Sequence, residues 1–408
     1  MRLDFILSKK HFNRLVPKTT LMRNSLFFFF FIAIIGVAIW YLSRRTAFIF
    51  GCKTWPFTLL YTLLLTASFF FTFAAVREWT CQPFMHAAVR IFSEMTGILL
   101  YLLLSMLIID LAQLFAHWTP KTFGVIVFSL TAIVCTGATI NAFLPRLKPV
   151  TIELPKLQKP MRAVLLTDTH LGHFRGVLHV QKLVNLINQA DPEIVFFTGD
   201  CFESHYNLST KTLEPFKQIK APIYFVSGNH DGYVDLAQVK QLLRETGIRV
   251  LETEVVEEHG LQILGLDYMR IDGSDRNSMH APVGEATIQS VCDTFRASRE
   301  LPVIALHHNP SGGHYLEQAG VDLYLGGHTH GGQLIPLIWV NDRLFQFNRG
   351  LYHYGKMQAY TSCGTGTFGP PMRLGTRSEI TVLELTPNRQ NQHSAWAANH
   401  IFSYFCGL

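Results

Sequence analysis

The sequence predicts a chain in two parts: an α-helical, membrane-spanning N-terminal region, then an α/β domain. Two observations carry this. Residues up to about 145 are dominated by Phe, Leu, Ile and Val with few charges, and four stretches there reach the roughly twenty apolar residues that a bilayer span needs. From Met161 onward, five short apolar runs each end in Asp, Asn or His, and segments of helical periodicity separate several of them.

The first stretch lies between Arg23 and Arg44, contains Leu26 and Phe27–Phe31, and ends in Trp40-Tyr41 as an aromatic belt. The others cover about 56–76, 93–115 and 122–144. We read four spans, with three or five as alternatives. The third contains Glu94 near its start and Asp110 near its end; Asp110 is costly in hydrocarbon and is expected to face other helices or the interface. A cleaved signal peptide fits poorly, because the basic leader is long and further spans follow. Four spans put the leader (1–24), the second loop and the C-terminal domain on one side, with thirteen Lys and Arg against four, Arg44 and Arg45 being counted in the first loop. Positive charge stays on the cytoplasmic side, so the domain is expected there.

The net charge of +6 is no nucleic-acid footprint, because the basic residues cluster at the ends of apolar segments and not on one face. Seven cysteines show no paired spacing and read as free thiols.

Residues 146–160, with Pro149, Pro155 and Pro160, read as an extended linker. A strand from Met161 to Thr167 then ends in Asp168-Thr169-His170. Val180, Leu183, Val184 and Ile187 follow at helical spacing. Strand Ile194–Phe197 ends in Gly199-Asp200, and strand Ile223–Val226 in Gly228-Asn229-His230-Asp231. Helices are expected at about 235–246 and 284–297, with short strands between them over 249–266. Strand Pro302–Leu306 ends in His307-His308-Asn309-Pro310, and Val321–Leu325 in Gly326-Gly327-His328-Thr329-His330-Gly331-Gly332-Gln333. Strand-like runs broken by Gly and Pro complete the domain to 386, and the tail 387–408 is unassigned beyond a short packed or interfacial helix.

Taken singly, Asp168 reads as a cap and His328-Thr329-His330 as a surface turn. Together, carboxylates and imidazoles at successive strand ends are the donors that hold Mn, Fe or Zn, whereas Mg favours an all-oxygen shell. In open α/β sheets such strand ends are where ligands bind.

The five blocks, in this order, resemble the calcineurin-like metallophosphoesterase superfamily over about 161–386, and most closely its membrane-anchored bacterial branch, which shares the Gly-Gly-His-Thr-His-Gly-Gly-Gln ending. The resemblance implies a four-layer α/β/β/α domain and a binuclear centre. It assigns one divalent ion to Asp168, His170, Asp200 and His330, and the other to Asp200, Asn229, His308 and His328. His230 becomes the catalytic acid, with Asp231 expected to orient it. His308 is preferred to His307 because it directly precedes Asn-Pro; His307 is then a packed neighbour. His173, His205 and His314 match no ligand and are expected at the surface or against substrate. Two departures stand out: Cys201-Phe202-Glu203 after Asp200, and Thr169 after Asp168.

The implied activity is hydrolysis of a phosphomonoester, phosphodiester or pyrophosphate, free or lipid-linked, by a bridging hydroxide at the bacterial plasma membrane. The rival reading is a non-catalytic membrane sensor or scaffold, against which the intact ligand set and His230 argue. The apolar run Leu334–Val340 beside the last ligands reads as core, with a surface for lipid substrates as the alternative.

Overall fold

The computed structural model describes residues 18–273 and 284–387, with side chains of the first helix from Ile32 onward. Most of the basic leader, and the tail after Pro387, lie outside the described residues. Four long helices open the chain: α1 (Lys18–Phe50), α2 (Trp55–Ala74), α3 (Pro83–Ala116) and α4 (Pro120–Ala142). All four are long and apolar enough to cross a membrane, α1 over Ile32–Phe50. Proline opens α3 and α4, where its missing N–H removes no helical bond.

One boundary differs from expectation. The loop foreseen from Arg44 begins only after Phe50, so Arg44 and Arg45 are helical. The reason is a partner on α3: Arg45 and the Tyr41 hydroxyl both donate to the Asp110 carboxylate. The acid in the third span therefore faces other helices and is satisfied there.

Two compact units divide the chain. One takes in residues up to Ala67 with Ile98–Val134, and the other Ser68–Gly97 with the chain from Cys135. The second unit holds the α/β domain, in the order β1 (Arg146–Leu154), β2 (Met161–Leu166), α5 (Val177–Ala190), β3 (Ile194–Thr198), β4 (Ile223–Val226), α6 (Leu236–Glu245), β5 (Arg249–Val250), β6 (Glu254–Glu258), β7 (Leu261–Gly265), α7 (Ile288–Thr294), β8 (Val303–Leu306), α8 (Gly313–Gln318), β9 (Leu323–Gly326), α9 (Leu337–Leu344), β10 (Gly350–Tyr354), β11 (Met357–Thr361) and β12 (Glu379–Pro387). They form two six-stranded sheets, β1-β12-β2-β3-β4-β5 and β10-β11-β9-β8-β7-β6.

Strand sequences explain the layering. Both faces of β2 and β3 are apolar, as a sheet covered on both sides requires. Val164, Leu166, Val195 and Phe197 pack against Val180, Leu183, Val184 and Ile187 of α5 and against α6. Their alternates Ala163, Leu165, Ile194 and Phe196 meet Ile263, Ile304, Leu306, Leu323 and Leu325 of the other sheet. The far face of that sheet is covered by α7 and α8, through Ile288 and Leu316. The result is the expected α/β/β/α sandwich.

The stretch 146–160, expected as an extended linker, is instead a strand over its first nine residues, β1, paired in parallel with β12 from Arg146↔Glu379 to Leu154↔Pro387, and turns after Leu154. Pro149 is tolerated there because β1 is an edge strand. The run Leu334–Val340 corrects the expectation of core: Leu334 and Ile338 are buried, but Leu337, Trp339, Val340 and Leu344 are exposed along α9.

Phe196 is fully buried between the sheets. Phe196→Ala is expected to cost about 3–5 kcal/mol, read as a lowered denaturation midpoint of the full chain; an unchanged midpoint would contradict the packing described.

Candidate metal centre

The carboxyl ends of five strands from both sheets deliver the site. Asp168 and His170 follow β2, Asp200 follows β3, Asn229 and His230 follow β4, His308 follows β8, and His328 and His330 follow β9. Three groups result, Asp168–His170–His330, His170–Asp200–His230 and Asp200–His308–His328, each with one donor atom per residue and all such atoms within 4.8 Å of one another. His170 and Asp200 belong to two groups each, so the clusters form one continuous centre.

Tight turns make this possible. Asp168, His170, Asp200, His328 and His330 all adopt φ between 44° and 70°, a conformation that costs a non-glycine residue on the order of 1–3 kcal/mol. The surroundings enforce it: His328 N donates to both Asp168 carboxylate oxygens at 3.1 Å, and His170 N to Asp200 O at 3.1 Å. Two glycines are required by close approach. A Cβ at Gly228 would lie 2.1 Å from Asp200 Oδ1, and one at Gly327 2.4 Å from Asp168 Oδ2.

Hydrogen bonds select the nitrogens that face the centre. His308 Nδ1–H donates to Thr198 O at 2.6 Å, which turns Nε2 toward the centre, 3.0 Å from Asp200 Oδ2. His170 Nδ1 contacts Glu203 Oε2, and its Nε2 lies 3.1 Å from His330 Nε2. That spacing is close to the roughly 3 Å between two nitrogens each about 2.1 Å from one ion. The side-chain oxygen of Asn229 is buried without a hydrogen-bond partner among the described residues. An orphaned acceptor is costly, and a cation relieves this one, so the donors fit a metal.

The charges agree. Burial works against an imidazolium at His170 and at His308, but Glu203 and Asp168 overcome it for His170 and Asp200 for His308, raising them to about 10 and about 9. Burial likewise opposes charge on Glu203, but His230 and His170 hold it down to about 2. Without metal, protons supply the positive charge that the carboxylates demand.

Two roles differ from expectation. Asp231 does not orient His230: its oxygens accept from the backbone N–H groups of Asp200, Cys201, Phe202 and Gly228, fixing the loop that carries Asp200. Glu203 is the carboxylate beside the ring, with Oε2 2.8 Å from His230 Nδ1 while also touching His170. The departure Cys201-Phe202-Glu203 was its only sequence signal. His307 is packed as foreseen, its Nδ1 2.8 Å from Asn309 O. His173 is buried, not at the surface; its Nε2 lies 3.2 Å from Ala75 O and its Nδ1 2.7 Å from His86 Nδ1. Arg373 had no signal. It is fully buried, donating to the Cys363, Gly366 and His330 carbonyls behind the site.

A family model described as calcineurin-like phosphoesterase matches residues 161–332. An uncharacterized metallophosphoesterase of Campylobacter jejuni is 30% identical over 380 residues, which cover 88% of this chain and 98% of the relative. The chain belongs to the calcineurin-like phosphoesterase family. As a calcineurin-like phosphoesterase it is a metal-dependent phosphoester hydrolase. A Danio rerio transmembrane protein with metallophosphoesterase domain is 31% identical over 282 residues, 64% of this chain and 62% of the relative. The phosphodiesterase YaeI of Escherichia coli is 28% identical over 237 residues, 55% of this chain and 82% of the relative.

Two expectations follow for this phosphoesterase. Gly228→Ala displaces Asp200 and should weaken metal affinity about 10–100-fold, seen as metal lost on dialysis; full retention would refute the close-packing argument. Because His170 and His308 hold protons that ligation must expel, affinity should strengthen from about pH 6 to pH 8, with proton release in calorimetry. A pH-independent affinity would show that these imidazoles are already neutral.

Proposed function

We propose that the chain is a membrane-anchored phosphoesterase holding two divalent cations, Mn, Fe or Zn, and hydrolysing a phosphomonoester, phosphodiester or pyrophosphate. The observation that carries this is the convergence of three His and carboxylate groups through the shared His170 and Asp200. In this reading Asp168, His170, Asp200 and His330 hold one ion, and Asp200, Asn229, His308 and His328 the other. Such ions, when bound, supply an activated water and neutralise charge on the phosphoryl oxygens. His230, with Nδ1 2.8 Å from Glu203, is left with Nε2 to give a proton to the leaving oxygen. Glu203 favours the protonated form of His230 that this step consumes.

The four apolar helices support an integral membrane protein, with the catalytic domain at 161–386 extended by β1. The positive-inside bias supports a cytoplasmic domain: with Arg44 and Arg45 inside α1, only Lys53 remains between α1 and α2, while Arg146, Lys148, Lys156, Lys159 and Arg162 follow α4. Near full-length likeness to the Campylobacter protein supports a bacterial setting, in which four such helices would lie in the plasma membrane. The exposed apolar face of α9, seven residues after His330, supports a lipid-linked ester as substrate.

The test is hydrolysis of bis-p-nitrophenyl phosphate and p-nitrophenyl phosphate by the full-length protein in detergent with manganese. Asp200→Asn should abolish turnover, and His230→Ala should lower kcat about 10²–10⁴-fold. Retained activity in both variants would place the chemistry elsewhere. Replacing Leu337 and Trp339 with Ser should depress activity on a lipid phosphoester while sparing the soluble esters; equal loss on both would count against the lipid reading.

A further inference from the structure

A second cavity, of about 500 Å³, has no part in the reading above. Its walls carry His86 and Arg90 of α3, His173 and Arg175 of the segment after β2, and His179 and Lys182 of α5. No carboxylate lines it among the described residues. A smaller space of about 20 Å³, lined in part by His170 and Glu203, shares His173, Phe174 and Arg175 with it. One short segment of chain therefore separates the cavity from the metal centre.

Three independent features call for an anion there. Arg175 is 2% exposed and its Nε has no hydrogen-bond partner among the described residues. Its other donors go to neutral oxygens, Thr367 Oγ1 at 2.9 Å and Ala142 O at 3.1 Å. Burial, and then repulsion from Arg373, pulls this guanidinium down to about 9, and the attraction of Glu203 does not make up the loss, as expected of a buried charge that no carboxylate touches directly. Second, Lys182 and Arg90 are exposed, and Lys182 Nζ donates only to the Phe143 carbonyl at 3.1 Å, so both keep donors for a ligand. Third, α5 starts at the cavity with Gly176 as its N-cap and no side-chain cap. A 14-residue helix presents its N–H groups and positive dipole end at that point.

We propose that this cavity binds a phosphate group, presented by an anionic lipid headgroup or by a free phosphate compound. Its place suits the first source. Arg90 and His86 sit on the opening turns of α3, where an apolar helix long enough to span the bilayer begins, and basic side chains at such a level meet lipid phosphates. Leu178, 84% exposed, stands on the rim beside Val177.

The site is distinct from the catalytic centre and does not depend on turnover. The test measures the thermal unfolding midpoint of the full-length chain in detergent, titrated with phosphatidylglycerol, phosphatidylcholine or inorganic phosphate. Phosphatidylglycerol or phosphate is expected to raise the midpoint. In the Arg90→Gln/Lys182→Gln double variant the half-saturating concentration should rise at least about tenfold, while Arg90→Lys/Lys182→Arg keeps the response. A response to phosphatidylglycerol alone identifies the headgroup as the source, and a response that includes inorganic phosphate shows that the phosphate suffices. Identical titrations in the wild type and the Gln variant, an equal response to phosphatidylcholine, or no response to any of the three would overturn the proposal.

Discussion

Side chains of β2, β3 and β4 interdigitate with those of β7, β8 and β9, and this apolar seam fixes the distance between two sets of strand ends. The metal centre spans that distance. Asp168, Asp200 and Asn229 come from one sheet, and His308, His328 and His330 from the other, so neither sheet alone assembles a complete donor set. Close-packed interiors resist small displacements, which lets the seam hold strained loops in register. Five donors in left-handed backbone conformations are the cost of bringing these groups together, and the packing behind them offsets it.

Much of this was legible in the sequence because the relevant signals are local. Apolar runs of four to six residues ending in Asp, Asn or His marked β2, β3, β4, β8 and β9, and the period of Val180, Leu183, Val184 and Ile187 marked α5. What could not be read depends on partners distant in the chain. Arg45 lies inside α1 because Asp110, 65 residues away, receives it. Glu203 meets His230 only once two loops converge, and Asp231 turns away because backbone N–H groups of a neighbouring loop claim its oxygens. The prolines of 146–160 were misleading for a similar reason: whether Pro149 interrupts a sheet depends on which side of the strand is paired.

The hairpin between α2 and α3 is as much a part of the catalytic unit as of the helical region. Thr80 and the Ala75 carbonyl contact His173, His86 stacks on Tyr206 with ring centroids 3.9 Å apart, and Asn141 of α4 donates to the Arg373 and Thr376 carbonyls. Residues around the active-site loops thus rest directly on the ends of the apolar helices. A fragment cut after α4 would expose these contacts, which is why the full-length protein is the appropriate material for assays.

The pairing of β1 with β12 has a consequence for biosynthesis. In the first sheet β12 lies between β1 and β2, so the two earliest strands of the domain are not neighbours until the last described strand slots between them. While the ribosome is still adding residues before Glu379, that place in the sheet stays vacant and the facing edges of β1 and β2 remain unpaired. Folding of the domain is therefore completed late in translation, with β1 already joined to α4 and a long loop still to be closed. A chain stalled or truncated before β12 would display two unpaired strand edges, the kind of surface that quality-control proteases and chaperones engage.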